Sequence, residues 1–269
     1  VTALSTDTNA LVGTHDLALI VLDTLRHDVA VEEMAAGRTP NLARLFPTGW
    51  ETRHSPATFT YAAHAAFFAG FLPTPARPGP HERRFALRFD GSETTGPGTC
   101  VLDGASIVEG LAARGYHTLC VGGVGFFNAR NPLGRVLPGL FAEHHWTPGL
   151  GVTEPHSFEH QIEVVAQALA RIPAAQRAFT FVNVSALHQP NHFYLEGGPR
   201  VDSRASHAAA LRYVDAHVPR LVEVLGRRGP LFVIACSDHG TLYGEDGYVG
   251  HRVAHPLVTT VPYAEAVIA

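Results

Sequence analysis

Apolar residues fall along this chain in short unbroken runs, and the stretches between them carry helical stripes. Residues 17 to 22, Leu-Ala-Leu-Ile-Val-Leu, form such a run and end in Asp23. A run that is apolar without alternation predicts a strand covered on both faces, here delivering an acid at its carboxyl end. His117 to Val121 repeats the pattern, as do Phe179 to Val184, running into Ser185, and Leu231 to Cys236, ending in Ser237 and Asp238. Helices are predicted over about 104–114, 157–172 and 203–227, and the last places Leu211, Val214, Val218, Leu221 and Leu225 on one face. Strands alternating with helices predict an α/β fold with a mainly parallel central sheet and helices on both faces. In such a sheet, ligands bind at the carboxyl edge. The Pro- and Gly-rich stretch 72–100 and the segment 128–155 read as long loop insertions in a single domain spanning 1–269.

Composition narrows the chemistry. All 20 basic residues are arginine, so a lysine Schiff base and a phosphate-binding lysine are excluded, and any anion clamp must use Arg, His, backbone amides or a cation. The formal net charge of −4, with no basic tract, recommends neither nucleic acid nor an anionic membrane as partner. Three widely spaced cysteines suggest no disulfide framework. With no leader pattern and no run of 18 apolar residues, the expectation is a cytoplasmic protein.

Three segments carry candidate chemistry. Asp23 closes the first strand and reads either as a turn or helix-cap residue or as a ligand. Thr60 stands at the start of a helical stretch, Tyr61 to Ala69, where it is either the N-cap or a hydroxyl beside the free amides and positive dipole of the helix, a place that holds phosphoryl oxygens. Asp238 and His239 end the fourth strand in Ser-Asp-His-Gly, where they form either an Asx turn or a carboxylate and an imidazole that reach one cation.

Taken together, Asp23, Thr39-Pro-Asn-Leu-Ala-Arg-Leu45, Thr60 ten residues before Gly70, Ser237-Asp-His-Gly240 and Val261-Pro262 resemble the alkaline phosphatase and sulfatase superfamily, over nearly the whole chain. The resemblance implies an alkaline-phosphatase-like fold and a metal site made by Asp23, Thr60, Asp238 and His239. Thr60 is similar to the nucleophilic threonine of the nucleotide pyrophosphatase branch, and His64 falls on the histidine of that branch's Asn-His pair. A second metal is implied with His188 and His251 as ligands and His192 as a further candidate. His64, Asn183, Arg252 and Arg26 are candidates for orienting anionic oxygens, Asp215 for a polar contact near the site, and His207 for a ligand. Imidazole-rich ligation favours zinc or manganese, as one or two ions.

Departures from the pattern matter. Formylglycine sulfatases carry Cys or Ser, then Pro and Arg, where this chain has Thr60-Tyr-Ala-Ala, and an alkyl sulfate on threonine cannot collapse through a carbonyl. Asp23-Thr24 replaces the paired acids of a calcium site. The expected activity is therefore metal-dependent hydrolysis of a small phosphate monoester, diester or phosphonate ester through a Thr60 phosphoryl intermediate. The alternatives are a phosphotransferase or mutase on the same site, a sulfatase-like hydrolase, and a catalytically silent metal-binding scaffold.

Overall fold

A computed structural model describes residues 6–70, 85–86, 100–101 and 106–269. Its strands are β1 (Asp16–Leu22), β2 (Glu51–His54), β3 (Phe85–Ala86), β4 (Cys100–Val101), β5 (His117–Val121), β6 (Glu143–His145), β7 (Ala178–Val184), β8 (Leu231–Cys236), β9 (Leu242–Tyr243), β10 (Val249–Gly250) and β11 (Thr260–Ile268). The helices are α1 (Thr8–Leu11), α2 (His27–Ala35), α3 (Pro40–Leu45), α4 (Thr60–Ala69), α5 (Ile107–Ala113), α6 (Pro132–Val136), α7 (Ser157–Arg171), α8 (Arg204–Gly226) and α9 (Pro256–Thr259).

Seven strands form one sheet in the order β2-β11-β8-β1-β7-β5-β6. β1 lies between β7 and β8 and runs parallel to both, β5 and β6 continue the parallel set, and β11 runs antiparallel to β8 and β2. The four apolar runs are thus the adjacent strands β8, β1, β7 and β5, and their parallel pairing puts their carboxyl ends on one edge.

The alternation within β1 separates two cores. Ala18, Ile20 and Leu22 join the cluster formed with α7 and α8, where Leu211, Val214, Val218, Leu221 and Leu225 are all buried. Val21, with Leu17 and Leu19 packed beside it, faces an aromatic cluster that includes Phe68 of α4, Phe127, Phe141, Phe179 and Phe181. Helices therefore cover both faces, as the pattern predicts. Ser106 and Glu109 make a reciprocal capping box that starts α5, and Ser203 with Ser206 starts α8, which explains why both helices begin near their predicted ends.

One expectation needs correction. The segment 128–155 is not an unstructured loop: it holds α6, two single-turn 3-10 helices, and β6, which pairs with β5. Short polar elements such as Glu-His-His give no periodic signal. The reversed strand β11 lacks a continuous apolar run and contains Pro262. The loop expected over 72–100 lies, apart from β3 and the first residue of β4, outside the described residues. Among the described residues, no helix is long and apolar enough to cross a membrane.

Candidate active site

The carboxyl ends of β1 and β8 bring Asp23, Asp238 and His239 together. All three are fully buried, and one ligand atom from each lies within 4.8 Å of the others. Asp23 is not a helix cap: its Oδ2 accepts from Asn183 Nδ2 at 2.9 Å, while its Oδ1 is buried without a partner. Asp238 does turn the chain, since its Oδ1 accepts from the amides of Thr24 at 3.1 Å and His239 at 3.0 Å. Its Oδ2, however, is buried without a hydrogen-bond partner. His239 donates Nδ1–H to the carbonyl of Gly240 at 2.9 Å, which leaves the lone pair on Nε2 and aims it at the site.

Thr60 is the first residue of α4 and is 2% exposed. The N-cap is Phe59, and no side chain caps the helix, so the Thr60 hydroxyl is not spent on capping. Its Oγ1 lies 3.3 Å from His239 Nε2. The turn that carries it is stapled to distant chain: the Ser55 amide donates to Thr259 O at 2.7 Å, the Ser55 hydroxyl to Asp238 O, and the Arg252 amide to Thr58 O at 2.8 Å. Gly240 follows the pair closely because a Cβ there would lie 2.0 Å from Leu257 O.

Burial dominates the electrostatics. The Asp23 carboxyl is pushed up to about 6 by burial and then by the facing Asp238. Burial pushes Asp238 up to about 7. His239 is lowered, chiefly by burial. Two adjacent carboxylates out of reach of water, each with an unpartnered oxygen, are stable as anions only beside a cation. The donor set of two carboxylate oxygens, one imidazole nitrogen and a nearby hydroxyl fits a divalent ion.

A row of imidazoles continues from His239: the His251 ring lies 4.6 Å from it, and the His188 ring 5.6 Å from His251. His251 is lowered to about 3 by burial and by His239 and His188, and its Nδ1 is buried without a partner. His188 donates Nδ1–H to the Gln189 carbonyl at 2.5 Å. Both stand beside the compact triad rather than within it. The exposed Arg252 adopts φ of +70° and holds its guanidinium 5.5 Å above the Phe59 ring, and no carboxylate pairs with it among the described residues.

Several expected site residues do other work. Asn183 is fully buried, linking Asp23 to the amide of Val124, which donates to its Oδ1 at 3.0 Å. His64 is likewise fully buried and enclosed by aromatic rings. Arg26 is taken up by Asp28 at 2.7 Å and by Glu245. His192 is turned toward Asp202, 3.3 Å away, rather than toward the triad. His207 bonds the Tyr243 hydroxyl at 2.9 Å and accepts from the Arg26 amide at 3.3 Å, which makes it a buried structural group. Asp215 receives the amides of Leu42 at 2.7 Å and Asn41 at 3.3 Å, so it fastens the start of α3 and not the site.

Sequence reading also passes over residues that shape the centre. Thr24, at φ of +64°, aims its amide at Asp238, and Gln161 donates to the carbonyl of Asn183 at 2.6 Å. Gly123 packs so tightly that a Cβ would lie 2.4 Å from the same carbonyl. Their partners are far away in the chain, and no local pattern marks them.

No curated protein sequence matches the chain. Among solved structures, the C-terminal periplasmic domain of phosphoethanolamine transferase EptC from Campylobacter jejuni aligns with a TM-score of 0.60 at 14% identity, covering 93% of this chain and 78% of that one. The soluble domain of lipooligosaccharide phosphoethanolamine transferase A from Neisseria meningitidis gives 0.61 at 16% identity, with 93% and 75% covered. The periplasmic domain of EptC from Escherichia coli, solved in complex with zinc, gives 0.60 at 14% identity, with 94% and 73% covered. The cytoplasmic expectation does not stand against these likenesses, because the similar EptC domains are periplasmic. The family model described as Sulfatase matches residues 15–262. That match covers the sheet from β1 into β11 together with Asp23, Thr60, Asp238 and His239, and the chain therefore belongs to the sulfatase family, within the alkaline phosphatase and sulfatase superfamily.

Proposed function

We propose that this protein is a metal-dependent enzyme that cleaves a small phosphate monoester, diester or phosphonate ester, with Thr60 as the nucleophile. The observation that carries the reading is the Thr60 hydroxyl, uncapped at the start of α4 and 3.3 Å from Nε2 of His239, which is clustered with a buried pair of acids. Asp23, Asp238 and His239 would hold one divalent ion, zinc or manganese, and His188 and His251 are the residues available for a second. When bound, such an ion supplies Lewis-acid polarisation and lowers the pKa of a hydroxyl beside it.

The remaining steps belong to the chain. Thr60 Oγ1 forms a bond to phosphorus as the bond from phosphorus to the leaving oxygen breaks; the hydroxyl proton is released, and the leaving oxygen is protonated by solvent. The open amides and dipole of α4 stabilise the charge that gathers on the phosphoryl oxygens. Arg252, which stacks on Phe59 and pairs with no carboxylate among the described residues, would hold one of those oxygens. Water then cleaves phosphothreonine and restores the hydroxyl.

The likeness to phosphoethanolamine transferases favours one second reading, in which an alcohol takes the group in place of water. The test is a panel of aryl phosphate, phosphodiester, phosphonate and sulfate esters, assayed with zinc or manganese and with or without an acceptor alcohol. Thr60→Ala should abolish turnover and keep the metal, and full activity in that variant refutes the role. Product bearing the acceptor selects the transferase.

A further inference from the structure

His64 stands one turn after Thr60 on α4 and is enclosed by rings, with centroids at 5.5 Å for Phe67, 6.1 Å for Phe68, 5.3 Å for Phe127 and 5.5 Å for Phe181. Its Nδ1 lies 2.8 Å from the Thr60 carbonyl and 3.7 Å from Asp238 Oδ2. A carbonyl only accepts, so Nδ1 carries the proton. Nε2 is then a lone pair buried in the aromatic box with no partner among the described residues. Leaving such an acceptor unpaired is unfavourable, and a Phe in the same box avoids that cost. What the imidazole supplies and Phe does not is the N–H on the side of Thr60 and Asp238.

We propose that His64 is a positioning residue whose Nδ1–H, fixed in direction by the aromatic box, holds the Thr60 backbone in register beside the Asp238 carboxylate for cation binding and attack. The inference rests on the function proposed above. Phe181 on β7 and Phe127 after β5 form part of the box, so the strands that bear the site also set the angle of this ring.

Two variants separate the donor from the packing. His64→Asn places an N–H near the position of Nδ1 but leaves a void; His64→Phe fills the box but removes the donor, with His64→Leu as its substitute if the larger ring fails to fold. The readouts are the thermal midpoint of metal-free protein, zinc affinity by competition with a chromogenic chelator, and kcat and KM on an aryl phosphate. The expected result is that His64→Phe keeps its thermal midpoint, binds zinc about tenfold more weakly, as removal of an outer-shell partner does, and loses kcat at constant KM. His64→Asn should lose stability yet keep zinc affinity within about threefold of wild type. Unchanged zinc affinity in the donor-less variant, or weaker binding in His64→Asn than in it, overturns the inference while leaving the proposed function standing. A wild-type protein that binds no zinc and cleaves no ester removes both.

Discussion

Replacing Asn183 by Ala tests whether the buried amide joins fold to function. Its side chain makes two bonds, donating to Asp23 Oδ2 at 2.9 Å and accepting from the Val124 amide at 3.0 Å, and the residue is fully buried. Truncation strands the Val124 N–H, at about 1–3 kcal/mol, and opens a small void of roughly 1 kcal/mol. The expected loss of folding stability is therefore about 2–4 kcal/mol. Asp23 also loses a donor that lowers its pKa, so the carboxyl rises further and competes less well for a cation. Zinc affinity should fall about 10- to 100-fold, the range for removing a group that orients a ligand. Urea unfolding of metal-free protein and chelator competition measure the two effects independently. A stability change below about 0.5 kcal/mol together with unchanged zinc affinity refutes the reasoning.

Two further outcomes follow from the charges. In metal-free protein, Asp238 is raised from 3.8 to about 7, so the folded state holds a proton that the unfolded chain has released, and the resulting penalty grows from about pH 4 and is complete above about pH 7. Asp238→Asn removes that penalty, so its stability relative to wild type should climb between pH 5 and 8; His64, His207 and His251, lowered to about 3 and oppositely linked, cancel in the difference. A flat difference across that range in urea titrations rejects the assignment. Arg252→Gly relieves a left-handed backbone at φ of +70°, which offsets the extra entropy of glycine. Stability should stay level or rise by up to about 1 kcal/mol, while inhibition by inorganic phosphate weakens about tenfold; unchanged inhibition counts against the anion contact.

Much of this frame is legible in the sequence because burial on both faces leaves a continuous apolar signature. β1, β5, β7 and β8 carry it, and the acids that end β1 and β8 mark the edge where the site forms. β11 escapes because half-buried positions and Pro262 interrupt its run. Histidines separate less well, since ligand type and spacing are shared by residues with different partners. His192 has the spacing of a ligand, but Asp202 from a neighbouring loop claims it. His64 and Asn183 have the right types and places for polar contact, yet only the tertiary packing of Phe127 and Phe181, or the amide of Val124, turns them inward.

The staples on the Thr60 turn set a timetable for activity. Residues 55 to 60 are made early, yet Asp238, Arg252 and Thr259, which hold them, are made nearly two hundred residues later. A nascent chain still missing those anchors keeps its hydroxyl but not the corner that orients it, so reactivity arrives only once the residues that anchor it have been made. Any truncation upstream of β11 would leave a sheet with its reactive end unassembled.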